Sequence, residues 1–226
     1  MLKKEINFLG TGGAFNVSQK NNCAFHKEGS RMLLIDCGES IFEEIVKKSL
    51  LKDVTDLDIL ITHFHSDHVG SIGSLLFYTD MLGINTNVIF PNKESMNTLL
   101  ELFGVTNCNY NVLSPIEVDK YKIKEYKAKH NNMEAYSYLI NINDKLIYYS
   151  GDTKSIPEEV LSLLKDNKID EFYQDIRIDS NPFHMTVNEL NKMIEKEYRS
   201  RVNGMHYDET KKEIIEKSGY RLVKKI

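Results

Sequence analysis

Three histidines and an aspartate fall within six residues, and this cluster constrains the chain more than any other feature of its sequence. The cluster, residues 63–68, reads HFHSDH and follows an apolar run of strand length at 57–61. Residues two apart in an extended segment project to the same side, so His63 and His65 are expected to hold one ion. Asp67 and His68 would then turn toward a second ion. Imidazole and carboxylate ligands suit Zn, Mn or Fe, so the segment predicts a metal site at the carboxyl end of a strand.

Four ligands do not complete two metal sites, so further His or Asp residues are expected at the ends of later strands. His130 follows a predicted strand at 121–128, Asp152 follows one at 145–149, and His206 follows residues 201–205. Taken singly, each of the three would fit an ordinary polar loop residue, and only the His-rich segment makes them candidate ligands. Asp152 is the candidate bridge, because a shared carboxylate lowers the repulsion between two cations about 3.5–4 Å apart.

His184 lies directly before a predicted helix and has two interpretations. An unligated His beside metal ions is suited to donate a proton to a leaving oxygen, because its charge changes near neutral pH. A His at a helix N-terminus also serves a purely structural role in many proteins. The neighbouring Thr186 is expected to cap the helix rather than to act as a catalytic hydroxyl.

The pattern of apolar residues predicts an α/β chain built from two similar blocks. The first block has strands at 6–9, 23–27, 32–35, 57–61 and 87–90, with helices from Ile41 and over 69–82 and 92–103. It ends near Asn107, and a second block begins near Tyr110 with strands at 121–128, 135–142 and 145–149. Capping boxes at 155–158 and 186–189 predict helices over 157–165 and 187–197, and Asp208 is expected to cap the last helix. Residues 1–226 are therefore expected to form one domain of two mixed sheets with helices outside.

Composition excludes several classes of protein. The 226 residues carry 29 Lys and Arg against 33 Asp and Glu, a net charge of −4, which does not favour a nucleic-acid-coating surface. Three widely spaced Cys support neither a disulfide framework nor a zinc ribbon. The first six residues lack the apolar stretch of a signal peptide, and no segment approaches the roughly 18 apolar residues of a membrane span. A cytoplasmic protein without membrane contact is the expectation.

Two other motifs do not support a cofactor or a serine nucleophile. The segment GTGG at 10–13 resembles a phosphate loop, but Phe15 occupies the place of the third glycine in a dinucleotide fingerprint. No G-x-S-x-G elbow is present. The lysine-rich stretch 120–129 fits an alternating strand with a solvated face better than a nucleic-acid stripe.

The HFHSDH segment, with Gly70 two residues later, resembles the signature of the metallo-β-lactamase superfamily. The segments FLGTGGA at 8–14, IDCG at 35–38, SGDT at 150–153 and HMT at 184–186 are similar to its ribonuclease Z-like branch. This resemblance implies a four-layer αβ/βα sandwich with a dinuclear centre of two divalent ions, Zn or Mn. It implies one metal on His63, His65 and His130. The second metal would lie on Asp67, His68 and His206, with Asp152 between the two metals and His184 as the proton donor.

Within that branch the chain is most similar to the anti-Pycsar enzymes, small relatives that hydrolyse cyclic mononucleotides. The similarity lies in residues 172–175, 182–186 and 205–206, and it implies a homodimer with broad acceptance of bases. The long Gly- and Pro-rich basic arm with which ribonuclease Z clamps tRNA is not found, which makes a nucleic-acid partner unlikely without excluding it. Asp67 would orient or deprotonate the attacking water and His184 would protonate the leaving oxygen. The alternatives are a tRNA 3′-end endonuclease, a nucleotide sponge without turnover, and a lactonase or β-lactamase.

Overall fold

Two six-stranded sheets dominate the computed structural model, which describes residues 5–226. Within each sheet the strands lie side by side in the order in which they occur along the chain. The first sheet contains β1 (Asn7–Gly10), β2 (Cys23–Glu28), β3 (Arg31–Ile35), β4 (Asp56–Leu60), β5 (Asn85–Ile89) and β6 (Asn111–Leu113). The second sheet contains β7 (Lys122–Lys127), β8 (Tyr136–Ile142), β9 (Lys145–Tyr149), β10 (Glu171–Asp175), β11 (Val202–Met205) and β12 (Arg221–Leu222).

The two sheets share one pairing pattern. The first three strands of each sheet pair antiparallel, and the remaining strands continue in parallel from the third. The β8–β9 hairpin turns at Asn143 and Asp144, whose φ angles of 52° and 60° are those of the tight turn that strand twist favours. This repeated pattern confirms the prediction of two mixed sheets built on one plan.

Alternation along the strands divides the core into two parts. In β3, Leu33 and Ile35 point toward the second sheet and share a cluster of buried side chains with Tyr138. Met32 and Leu34 point the other way, into a cluster formed with helices on the outer face. Because successive strand residues face opposite sides, one strand thus contributes to both layers of the core.

Seven helices lie in the part of the chain that the structure describes, and they cover the outer faces of both sheets. Those that pack on the first sheet contribute to its outer cluster, and those that pack on the second contribute to the larger cluster. They are α1 (Ile41–Lys47), α2 (Ser66–Val69), α3 (Ile72–Met81), α4 (Lys93–Leu102), α5 (Glu158–Lys165), α6 (Val187–Met193) and α7 (Lys212–Lys217). The layers are therefore helix, sheet, sheet and helix, as predicted.

The helix predicted over 69–82 corresponds to α3, which begins only at Ile72, and Val69 is the last residue of the separate short helix α2. The His68 carbonyl accepts a hydrogen bond from Cys37 N (2.7 Å), and Ser71 N donates to the Cys37 carbonyl (3.1 Å). These bonds to the loop after β3 replace the intrahelical bonds that would join the two helices. One helix over the whole span was therefore wrong.

The capping box predicted at Ser155 is also wrong, whereas the box at Thr186 is confirmed. Pro157 precedes α5 with an extended ψ of 141°, so the helix begins at Glu158 and the Ser155 hydroxyl pairs with Thr153 instead. Thr186 accepts from Glu189 N, and the Glu189 carboxylate accepts from Thr186 N. The Asp208 side chain caps a short 3₁₀ turn that leads into α7.

The boundary between the blocks lies later than predicted, because β6 pairs with β5 and extends the first sheet to Leu113. Helix α6 ends at Met193 rather than at 197, since the next residue is extended. Among residues 5–226 no helix has both the length and the apolar character needed to cross a bilayer. The predicted absence of a signal peptide concerns the first six residues, of which 1–4 lie outside the described range. One domain over 1–226 stays a prediction.

Candidate metal centre

The predicted site residues converge at one edge of the two sheets, where strands end. Residues 63–68 follow β4, Asp152 follows β9 and His206 follows β11, while His130 lies in the loop after β7. A backbone hydrogen bond joins the two sheets at this edge, where Tyr136 N donates to the Thr62 carbonyl (3.0 Å). Side chains that lie far apart in sequence are thereby placed around one point.

The first group consists of His63, His65 and His130. Nδ1 of His65 lies 3.0 Å from Nε2 of His63 and 3.0 Å from Nε2 of His130, so three ring nitrogens face one another. Burial lowers the pKa of each of these imidazoles, most strongly that of His63. Three neutral imidazoles with converging nitrogens could hold a divalent metal ion.

The second group consists of Asp67, His68, Asp152 and His206. Nε2 of His68 lies 3.4 Å from Asp67 Oδ2 and 3.3 Å from Asp152 Oδ2. Nε2 of His206 lies 3.3 Å and 3.4 Å from the same two oxygens, so two nitrogens and two oxygens alternate around a centre. This arrangement of buried side chains could also hold a metal ion.

Electrostatics within the second group are dominated by its carboxylates. Burial opposes ionisation, yet His206 and His68 hold the pKa of Asp67 and of Asp152 below the usual range. Burial also opposes a charge on His68, but the carboxylates of Asp152 and Asp36 raise its pKa well above the usual value. The buried carboxylates thus attract positive charge to the centre of this group.

Asp152 connects the two groups. Its Oδ2 belongs to the second group and lies 4.0 Å from Nε2 of His63 in the first. Its Oδ1 is buried and has no hydrogen-bond partner, and the same is true of His68 Nε2. A buried acceptor without a partner is costly, and a cation would satisfy both atoms. The donor set of imidazoles and carboxylates fits divalent metal ions such as Zn or Mn.

Asp36 contacts the His68 ring nitrogen that faces away from the second group, a role that the sequence did not reveal. Its Oδ2 lies 2.8 Å from His68 Nδ1, and its Oδ1 accepts from Thr62 N (2.8 Å). A carboxylate on the far nitrogen of a metal-binding His fixes the tautomer and raises the basicity of the ring. The only sequence signal was its place at the end of β3, in the IDCG segment.

His184 lies in the same pocket but outside the first two groups. Its Nδ1 is 2.8 Å from Asp175 Oδ2, at the end of β10, and its ring stacks on that of His206 with centroids 4.9 Å apart. Burial opposes a charge on His184, but Asp175 and then Asp152 raise its pKa. Asp152, Asp175, His184 and His206 also form a third group able to hold a metal ion. The geometry therefore admits His184 both as a proton donor and as a ligand.

A pocket of about 670 Å³ opens onto both groups. Its lining includes the metal-binding candidates Asp67 and Asp152 and the aromatic side chains of Phe15 and Phe183. Phe15 is fully exposed. Arg177, which the sequence did not single out, also lines the pocket, and its Nη2 lies 3.2 Å from His206 Nδ1.

Comparisons with known proteins identify proteins that are similar to this chain in sequence and a solved structure that is similar in fold. A family model described as "Anti-Pycsar protein Apyc1" matches residues 4–101 and 86–225. The anti-Pycsar protein Apyc1 of Paenibacillus sp. (strain J14) is 30% identical over 225 residues, which cover 90% of this chain and 89% of that protein. A UPF0173 metal-dependent hydrolase of Pyrococcus abyssi is 30% identical over 201 residues, covering 83% of this chain and 82% of its own length. The metallo-β-lactamase fold protein YhfI of Bacillus subtilis superimposes with a TM-score of 0.73 at 16% identity, over 97% of this chain and 95% of YhfI.

Proposed function

This chain belongs to the Anti-Pycsar protein Apyc1 family and has the metallo-β-lactamase fold, and we propose that it is a metal-dependent phosphodiesterase. Its substrates would be 3′,5′-cyclic mononucleotides, which it opens to linear nucleoside monophosphates and so counters cyclic-nucleotide signalling against phage. The observation that carries the proposal is the pair of His and Asp groups joined by Asp152 at the base of an open pocket. The names of its relatives, an anti-Pycsar protein and a metal-dependent hydrolase, support it.

The proposed dinuclear centre is built from seven side chains. One ion would be held by His63, His65 and His130, and the other by Asp67, His68 and His206, with Asp152 shared. When bound, two divalent ions would supply an activated water nucleophile and would neutralise the charge that develops on a phosphoryl group during in-line displacement.

The remaining chemistry falls to side chains that face the pocket. The Asp67 carboxylate would orient the attacking water and take up its proton while the water oxygen forms the new bond to phosphorus. The bond from phosphorus to a ribose oxygen breaks, and His184 donates a proton to that leaving oxygen. Asp175 holds Nδ1 of His184 at 2.8 Å, so the other ring nitrogen is available to the substrate.

Two aromatic side chains suit the base of the nucleotide. Phe15 and Phe183 line the pocket together with His184. Stacking on an aromatic face does not depend on the hydrogen-bonding edge of a base, so these residues favour acceptance of several bases. The pocket volume of about 670 Å³ lies within the range of roughly 300–1,000 Å³ that is usual for small-ligand sites.

We further propose that the chain forms a homodimer and acts in the cytoplasm. If a phage encodes the chain, this is the cytoplasm of the host cell. The oligomeric state is measured by light scattering after size exclusion, where a mass of twice that of the chain is expected. A mass of one chain at micromolar concentration would remove the dimer without affecting the chemistry.

Turnover of a panel of 3′,5′-cyclic mononucleotides tests the proposal, with purified protein loaded with Mn or Zn and a precursor tRNA assayed in parallel. Linear monophosphates from several bases are expected. Turnover should be lost in Asp152→Ala and kept in Asp119→Ala, because Asp119 is exposed at the opposite end of β7. Intact cyclic nucleotides with a trimmed tRNA would reassign the protein to RNA processing. Cleavage of neither would turn attention to lactones and to binding without turnover.

A further inference from the structure

Arg177 carries a positive charge in the pocket and forms no ion pair there with a described carboxylate, although Asp208 also lines the pocket and the charge of Arg177 contributes to lowering its pKa. It lies two residues after β10 and lines the pocket beside His184 and His206. Among the described residues 5–226, no carboxylate oxygen lies within 4.0 Å of its guanidinium; the charged pairs there involve other side chains. Its Nε is buried and has no hydrogen-bond partner. An arginine in such a position has donors left for a ligand.

The contact between Arg177 and His206 does not use up these donors. Nη2 of Arg177 lies 3.2 Å from Nδ1 of His206, and this contact engages one N–H group of the guanidinium. A guanidinium has five N–H donors, so this contact leaves other donors free, among them the buried Nε that has no hydrogen-bond partner. The guanidinium therefore remains available.

The backbone of Arg177 is held by two hydrogen bonds. Its backbone N donates to the Met185 carbonyl and its carbonyl accepts from Val187 N, both at 2.8 Å, which ties it to the segment that carries His184. The side chain packs against Gly13, where a Cβ atom would lie 2.6 Å from Arg177 Nη2. A side chain at this position would displace the guanidinium or the His206 ring.

We propose that Arg177 binds the anionic oxygens of the substrate phosphate and thereby selects charged phosphate esters over neutral esters. A planar guanidinium donates two parallel hydrogen bonds to a phosphate group, a geometry that no other side chain matches. Arg177 lines the same pocket as Asp67 and Asp152, so its fixed charge would act on a substrate anion beside the proposed metal centre. The inference rests on the proposed function only in that the site handles phosphate esters; it requires no particular sugar or base.

The test compares the metal-loaded wild type with Arg177→Gln, Arg177→Lys and the control Arg31→Gln. Arg31 is exposed at the start of β3, the end of that strand opposite the site, so its loss changes the net charge equally. Calorimetry measures the binding of inorganic phosphate. Kinetics compare an anionic diester, bis(4-nitrophenyl) phosphate, with a neutral ester, 4-nitrophenyl acetate. Metal content is measured on every protein.

In Arg177→Gln, phosphate binding is expected to weaken roughly 10–100-fold and kcat/KM for the diester to fall roughly 10²–10³-fold, while metal content is kept. Hydrolysis of the neutral ester should change less than about threefold, and Arg177→Lys should restore part of the phosphate binding because it keeps the charge but not the fork. Arg31→Gln should match the wild type.

Equal phosphate binding by the wild type and Arg177→Gln, or no phosphate binding by the wild type, would overturn the inference. Loss of metal in Arg177→Gln would also overturn it, since the residue would then act through His206. A wild type that binds phosphate through Arg177 but leaves cyclic mononucleotides intact would refute the proposed function and keep this inference. If the wild type and Arg177→Gln hydrolyse cyclic mononucleotides equally well, the proposed function would stand and this inference would be refuted.

Discussion

Replacing His184 with alanine separates its two possible roles, proton donor and metal ligand. Its Nδ1 is held 2.8 Å from the fully buried Asp175, and that carboxylate raises the pKa of the imidazole against the effect of burial. A general acid contributes roughly 10²–10⁴-fold to a rate, which corresponds to about 2.7–5.4 kcal/mol of the barrier. His184→Ala is therefore expected to lower kcat for a cyclic mononucleotide by that factor and to leave the metal content unchanged.

The assay pairs this substrate with bis(4-nitrophenyl) phosphate, whose nitrophenolate departs without protonation. Loss of the proton donor should leave hydrolysis of the nitrophenyl ester nearly unchanged, so the two rates should diverge in His184→Ala. Among the seven His residues, His26 alone lies outside the site, with its Nδ1 3.0 Å from the Glu5 carbonyl, and His26→Ala is the control. Equal losses on both substrates would refute proton donation. Loss of metal would make His184 a ligand in the group with Asp152 and Asp175.

Three further predictions concern the support of the site and of α6. Asp36→Asn should weaken metal binding roughly 10–100-fold, because Asp36 orients His68 from 2.8 Å; competition with a chelator measures this, and unchanged affinity would contradict it. Thr186→Ala removes the helix cap and should cost about 1 kcal/mol, or roughly 2–4 °C in Tm, and an unchanged urea midpoint would refute this. Hydrogen bonds from Lys154 and Thr186 lower the pKa of Glu189 to about 2, below the usual value of 4.5. Its contribution to stability is therefore present above pH 4.5 and is lost as the pH falls from there toward 2. Glu189→Gln should flatten that part of the stability profile, and an identical profile would contradict it.

The site residues that could be predicted from the sequence are those that form a recognisable sequence pattern or lie at the ends of predicted strands. Three His and an Asp in six residues mark a site without any knowledge of the fold, and they direct attention to His130, Asp152 and His206 at later strand ends. The structure brings these residues together in two groups. That they are metal ligands stays a prediction until metal is bound.

The supporting residues could not be found in this way. Asp36, Asp175 and Arg177 are single residues at strand ends, and their roles arise only from distances between segments far apart in sequence. Strand β10 was missed because all of its residues are buried, including three polar ones, so its sequence EFYQD shows no alternation. Strand β12 has only two residues, too few for any period.

The helix errors have local causes. The periodicity of residues 69–82 is helical, but bonds from the loop after β3 to His68 and Ser71 interrupt the backbone ladder. The Ser155 box has the right letters, yet the proline at its third position disfavours a helical backbone at Ile156, and the helix begins only after Pro157. In both cases tertiary or steric constraints override a correct local signal.

Metal titration with simultaneous turnover tests the central claim most directly. Protein stripped with a chelator is loaded stepwise with Zn or Mn, and the opening of a 3′,5′-cyclic mononucleotide is followed at each step. A dinuclear centre joined by Asp152 predicts that turnover reaches its plateau at two ions per chain and that Asp152→Ala never reaches it. Full turnover at one ion per chain or without added metal, or no turnover at any loading, would contradict the account.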